Sequence, residues 1–268
     1  MTATARPDAR SFVRQAQLPP PPPSPRPTDG RRRGERAPAP VVEAALETGK
    51  NQAAVVGSDV VAFVTGVTAE HREAIVNSSL LAQLVATTKS PDRTRVYDWY
   101  NHYFKALENI GWTTQEANFA EYTEKASGLK AHEAILKVAV SLLSPGTAAL
   151  ALVTTTIEAL KSMDKGSPWI TIFSRESEHA QTAHFQVTLV DQDPNGQFLV
   201  SMMAFGLEAK STVTQVLFFR IKKAEATLKH YSGKVTINTG VLEQVKDELE
   251  DKLKSHAESY IKALPPFA

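Results

Sequence analysis

Cysteine is absent from the 268 residues. Disulfides, thiolate metal sites and cysteine nucleophiles are therefore excluded together, and the chain suits a reducing compartment. Near the N-terminus there is no unbroken apolar stretch of the roughly 7–15 residues a secretory signal needs. The expected location is the cytoplasm, with release by another route left open. Several chemical signatures are missing too. Gly233-Lys234 has Leu228 where a phosphate loop needs glycine and Val235 where it needs Ser or Thr. No G-x-S-x-G elbow occurs. His132-Glu133 opens like a zinc-protease helix, but the second histidine is replaced by Leu136.

Net charge is also scarce, at +1 for the chain, and it is unevenly spread. Residues 1–40 hold eight arginines against three acidic residues, so this +5 segment leaves −4 for the other 228 residues. A mildly acidic body lacks the clustered basic face that phosphate backbones require, so nucleic acid is not an expected partner. At 42% hydrophobic and 22% charged residues, the body can bury a substantial core.

Ten of the sixteen prolines lie in residues 1–40, with Pro19, Pro20, Pro21, Pro22 and Pro23 in a row and Arg31, Arg32 and Arg33 following. Such a composition predicts a disordered, partly polyproline II tail. It could engage a protein partner through a proline-recognising module, or serve as a tether. If the tail is only that, deleting it should leave the melting temperature unchanged and abolish partner capture.

Residues 41–166 read as a helical region. Thr68 can cap a helix running to Lys89, and Ser90-Pro91 look like the start of a second one ending at Gly111. Trp112–Tyr122 alternates loosely, as a strand would. The most apolar part of the chain follows: Val138 to Ile157 is twenty residues without a charge, twelve of them clearly apolar. Ser144-Pro145-Gly146 divides it into a helical hairpin over 132–163, with Val138 and Leu142 on one arm and Leu150, Val153 and Ile157 on the other. Neither arm reaches the ~20 residues a membrane helix needs. The stripes fit a hairpin sandwiched between a helical layer and a sheet, and insertion into a membrane is the competing reading.

From 167 onward the period changes to two. Trp169–Phe173, His184–Val190, Gln197–Phe205, Thr214–Ile221 and Lys234–Asn238 read as an antiparallel meander of four to six strands. Asp193-Pro194-Asn195-Gly196 makes a hairpin turn, although Asp191, Asp193 and Asn195 imitate the start of a calcium loop; Met202 stands where its closing Glu would be. An amphipathic helix from Gly240 to Leu264 ends the chain. The fold class expected is α+β: N-terminal helices and an apolar helical hairpin packed on a C-terminal antiparallel sheet with a terminal helix, residues 41–268 forming one unit.

No constellation of acid, base, nucleophile or metal ligands stands out, and no cofactor is implied. Glu176, His179 and His184 form the one weak candidate for a metal or an unrecognised enzyme site, but His179 and His184 would face opposite sides of a continuous strand. Trp99 is the aromatic residue that looks free for surface work, since Val96, Tyr100, Tyr103, Phe104 and Leu107 already form a core stripe. The leading expectation is a non-enzymatic binding or assembly protein with a recognition tail. It could form a homo-oligomer through an exposed strand such as Thr214–Ile221. The alternative is a membrane-active, pore-forming or effector-like protein that releases the 132–163 hairpin.

Overall fold

A computed structural model describes residues 8–21, 45–114, 118–122, 129–193, 195–210, 212–213, 220–221 and 226–267. In chain order the elements are α1 (Ala9–Gln15), β1 (Gln52–Val56), β2 (Asp59–Phe63), α2 (Ala69–Lys89), α3 (Val96–Asn109), β3 (Trp112–Thr113), β4 (Ala120–Glu121) and β5 (Leu129–Lys130). There follow α4 (Ala131–Leu143), α5 (Ala148–Ser162), α6 (Pro168–Ser177), β6 (Glu178–His179), β7 (Thr182–Gln192), β8 (Phe198–Ala209), β9 (Arg220–Ile221), β10 (Ala226–Ile237), α7 (Thr239–Tyr260) and β11 (Ile261–Ala263).

The fold is α+β, built on one nine-stranded mixed sheet with the order β11-β1-β2-β7-β8-β10-β3; β4 pairs with β10 and β6 with β7. Long antiparallel strands β7, β8 and β10 form its centre, as their period-two pattern predicts. Beside them lies a feature that pattern did not reveal. Gln52–Phe63, inside the stretch expected to be helical, is the β1–β2 hairpin, and β2 runs parallel to β7 from Asp59↔Gln186 to Phe63↔Val190. Three alanines dilute its strand signal. The turn at Gly57-Ser58, with φ +56° at Gly57, is the local clue.

Helices cover both faces of the sheet. Odd-numbered β2 residues Val61 and Phe63 and the β8 residues Val200 and Met202 pack against α1, α2, α3 and α7. The alternate residues, among them Val60, Phe185, Val187, Met203 and Phe205, pack against α4, α5 and α6. The hairpin α4–α5 is thus an outer layer with one face on the sheet, rather than a filling between helices and strands. Its stripe works as the spacing predicts: Val138, Val153 and Ile157 are buried against the sheet, and Leu142 and Leu150 are half-buried near the tip.

Four further boundaries differ from the sequence reading. Ser90 ends α2 instead of opening α3, because Pro91 begins a turn in which Asp92 accepts from the Thr94 N–H at 3.0 Å. Trp169–Phe173 is the start of α6, not a strand: Pro168 occupies its first turn, and Ile170, Phe173 and Ser177 recur on its buried face. The terminal helix stops at Tyr260, where the chain becomes extended and β11 pairs with β1. Finally, Asp8 caps α1, whose Val13 is fully buried against the α7 layer, so part of the supposedly disordered tail is folded. Arg14 pairs with Glu248 at 2.8 Å, and the Pro19 carbonyl lies 2.8 Å from His256 Nε2. Pro22, Pro23, Arg31, Arg32 and Arg33, and most of the Thr214–Ile221 strand expected at an edge, lie outside the described residues.

Candidate functional site

The sequence candidates meet different fates. Trp99 is not a surface residue. It occupies the inner stripe of α3, three residues after Val96 and four before Tyr103, and is 2% exposed. Its ring stacks on Tyr103 with centroids 5.3 Å apart, and its Nε1–H donates to Thr87 Oγ1 at 3.1 Å.

Glu176, His179 and His184 do converge. The chain reverses at Ala180, where φ is +50°, so the continuous-strand parity that would separate the two histidines does not apply. Their ring centroids are 5.1 Å apart. The surroundings oppose a cation, however. Arg93 Nη1 lies 3.0 Å from His179 Nε2, and the Glu176 carboxylate is paired with Arg175. Burial and the Arg93 charge push His179 down to about 4, and burial, His179 and Arg93 hold His184 well below the usual imidazole range. The cavity beside them is only about 10 Å³, room for a single water. Among the described residues no group of three His, Asp or Glu is placed to hold a metal ion.

A second buried polar group was not anticipated. Asp59, fully buried beneath α2, accepts from Ser79 Oγ at 2.9 Å and from Thr188 Oγ1. Gln83 completes the network, accepting from the Ser58 N–H at 2.9 Å and donating to the Val56 carbonyl at 2.8 Å. Burial without a basic partner pushes Asp59 up to about 7. All these groups are interior, so they organise the fold and touch no solvent-borne ligand.

Larger cavities lie elsewhere among the described residues, and two of them bear on function. One, about 470 Å³, is a groove between α2 and α7 rimmed by Glu70, Glu73, Asp247 and Glu250. Lys246 already bridges Glu70 and Glu243 across its edge. The other, about 300 Å³, lies where the hairpin tip overhangs the end of the sheet. Leu142, Leu143 and Ala149 form its roof; Leu189, Leu199 and Ser201 form its floor. The tip is shaped by two left-handed residues, Ser144 at φ +65° and Gly146 at φ +80°, and Thr147 caps α5 by accepting from the Leu150 N–H at 3.2 Å.

No family model and no curated protein matches the sequence. Solved structures give partial likenesses. One is a delta-endotoxin, 13% identical, with a TM-score of 0.40 over 76% of this chain and 90% of that one. Another is the Evf virulence factor, also 13% identical, with a TM-score of 0.36 over 78% of this chain and 85% of that one.

The tip stands out for its surface. Among the described residues, the exposed large hydrophobic side chains are Val140, 44% exposed, and Leu199, 52% exposed. Leu199 lines the tip cavity, and Val140 sits one turn before Ser144 on the solvent side of α4. Periodicity could have flagged Val140, an apolar residue off the buried stripe of its helix. Leu199 carried no such signal, because its strand is apolar on both faces.

Proposed function

We propose that the chain acts at a lipid surface, with the α4–α5 tip and the adjoining end of the sheet as its contact edge. The observation that carries this reading is that the two exposed large hydrophobic side chains among the described residues are Val140, on the outer side of α4 one turn before the tip, and Leu199, in the lining of the cavity under that tip. Water wets such an edge at a cost of ~25 cal/mol per Å² of apolar surface, which a membrane interface relieves. A second feature agrees with it. From Val138 to Ser162 the side-chain hydrogen bonds, such as Thr156 Oγ1 to the Leu152 carbonyl at 2.8 Å, stay inside the hairpin. That stretch therefore holds the sheet by apolar packing, an interaction that lipid chains can replace without leaving polar groups unpaired. Among the described residues no helix is long and apolar enough to cross a membrane, so the reading is contact or shallow insertion of a hairpin.

Flotation with phosphatidylcholine vesicles tests it. The intact chain should float, and the Val140→Glu/Leu199→Glu variant, altered only at exposed positions, should stay in the dense fraction while keeping its circular dichroism. Equal flotation of both proteins would remove the tip from the mechanism. Dye leakage from the same vesicles distinguishes pore formation from simple adsorption.

The alternative, an assembly protein whose Pro19–Pro23 and Arg31–Arg33 segment captures a protein partner, draws on Pro20 and Pro21 being exposed just beyond the anchored Pro19. Its test substitutes Pro20 and Pro21 by serine and asks whether a proline-recognising domain loses binding.

A further inference from the structure

The cavity under the tip is not uniformly apolar, and its polar groups are arranged by the strands. Asp191 stands opposite Leu199 across the β7–β8 ladder, and Lys234 stands opposite Ser201 across the β8–β10 ladder. The two charges therefore flank β8 from either side, two strand spacings across and two residues along, roughly 12 Å apart at the backbone. All four residues line the cavity.

Among the described residues, both charges lack a charged partner. Asp191 accepts only from the neighbouring Gln192 N–H, at 2.8 Å, and no ion pair links it to Lys234. Lys234 is exposed and forms no ion pair, in contrast to Lys130, Lys161 and Lys246, each of which meets a glutamate. Inside the mouth, the surfaces turn to Leu142, Leu143, Leu189 and Ala149. A cavity with an apolar interior and one unpaired charge of each sign at its rim complements a molecule of matching polarity: an aliphatic chain with a head that carries both charges.

We infer that this cavity takes one acyl chain of a zwitterionic phospholipid, with the phosphate at Lys234 and the ammonium group at Asp191. The inference rests on the lipid-surface reading and gives it a chemical specificity. A simple fatty acid would satisfy Lys234 and leave its carboxylate near Asp191. A neutral sugar-headed amphiphile would leave both charges without partners.

The probe is dodecylphosphocholine below its micelle concentration, titrated calorimetrically into the intact chain, with laurate and dodecyl maltoside as comparisons. One dodecylphosphocholine should bind per chain. Lys234→Ala should weaken it about ten-fold, the scale of one charge-assisted contact. Asp191→Asn should weaken dodecylphosphocholine while leaving laurate unchanged or tighter. Binding of laurate as tight as that of dodecylphosphocholine in the unaltered protein, or no effect of Lys234→Ala, would overturn the inference.

Val140→Glu separates this test from that of the lipid-surface reading, since Val140 lies outside the cavity. Loss of flotation in that variant, with no dodecylphosphocholine bound by the unaltered protein, would sink the cavity and leave the edge standing. Normal flotation with normal dodecylphosphocholine binding would sink the edge and leave the cavity.

Discussion

Thr188 places its hydroxyl 3.1 and 3.0 Å from the two carboxylate oxygens of Asp59, two strands joined by a buried acid with no cation near it. The titratable groups that face Asp59 are Tyr100 and Tyr103 of α3, both held above the usual phenol range by burial and so neutral. Asp59 is therefore protonated in the folded chain up to about pH 7, against 3.8 when unfolded. The sign follows from proton counts. Between those values the folded state holds a proton that the unfolded state has released, so stability falls as pH rises through the window and levels off above it.

Replacing Asp59 with Asn should abolish that slope. The variant should gain on the original protein between pH 4 and pH 7, on the order of 4 kcal/mol at the top of the window, from about 3 units at 1.36 kcal/mol each. His179, held at about 4, works in the opposite direction and loses stability as pH falls below 6.5. Urea unfolding of both proteins at pH 4, 6 and 8 isolates the Asp59 part, because the histidines are common to both. A difference that does not grow with pH would show that the carboxyl ionises freely.

Gly57 ties the same network to the β1–β2 turn. Its φ is +56°, and a Cβ there would stand 2.4 Å from Gln83 Oε1. That oxygen is not free to yield, since it accepts from both the Ser58 N–H and the Ser58 hydroxyl. Gly57→Ala should cost about 3 kcal/mol, combining left-handed strain with a displaced buried hydrogen bond. Gln83→Ala in the same background should recover part of the loss, a non-additivity that a double-mutant cycle reads directly. Fully additive effects would mean that the turn and Gln83 are independent.

What could be read beforehand divides along physical lines. The strands β7 and β8 were legible from the apolar, β-branched and aromatic runs His184–Val190 and Gln197–Phe205 on either side of a turn, β10 only from Lys234 onward, and the hairpin α4–α5 because its stripes repeat on either side of Pro145-Gly146. The β1–β2 hairpin was hidden by Ala53, Ala54 and Ala62, which carry little strand preference of their own; pairing supplies it, β1 with β2 and β11, and β2 with β7. Trp169–Phe173 misled in the other direction, since its Ile-Thr-Ile alternation looks like a strand while Ser167-Pro168 fixes a helix start. The tip cavity was not legible at all. Asp191 and Leu199 face each other across one hairpin, but Lys234 is more than thirty residues further on and joins them, with the hairpin tip, only through strand register and packing.

The N-terminal segment offers a test of the same kind. Its composition is that of a solvated tail, yet Val13 is fully buried and Lys252 donates to the Arg14 carbonyl at 2.9 Å. Removing residues 1–21 should therefore lower stability by about 2 kcal/mol, the scale of one buried valine. The Arg14–Glu248 pair adds little, because Arg14 is mostly solvated. Val13→Asp in the full chain should reproduce the loss in urea. An unchanged midpoint for both would return the segment to the status of a free tail.

The hairpin carries the sharpest contrast. Val153 and Val140 are the same residue type on the two arms of one hairpin, yet Val153 is 1% exposed against the sheet and Val140 faces solvent. A glutamate at 153 would place a charge in the buried apolar layer between the hairpin and the sheet, which also holds Ala62, Val187 and Leu189. Val153→Glu should destabilise by roughly 3–5 kcal/mol, the scale of an uncompensated buried charge. Val140→Glu should stay within about 0.5 kcal/mol of the original, as exposed substitutions do. The pair separates packing from surface chemistry, because the charge added is identical. If Val153→Glu unfolds as late as Val140→Glu, the hairpin does not rest on the sheet in solution, and the apolar face formed by Phe185, Val187, Met203 and Phe205 would be the surface to examine for lipid contact.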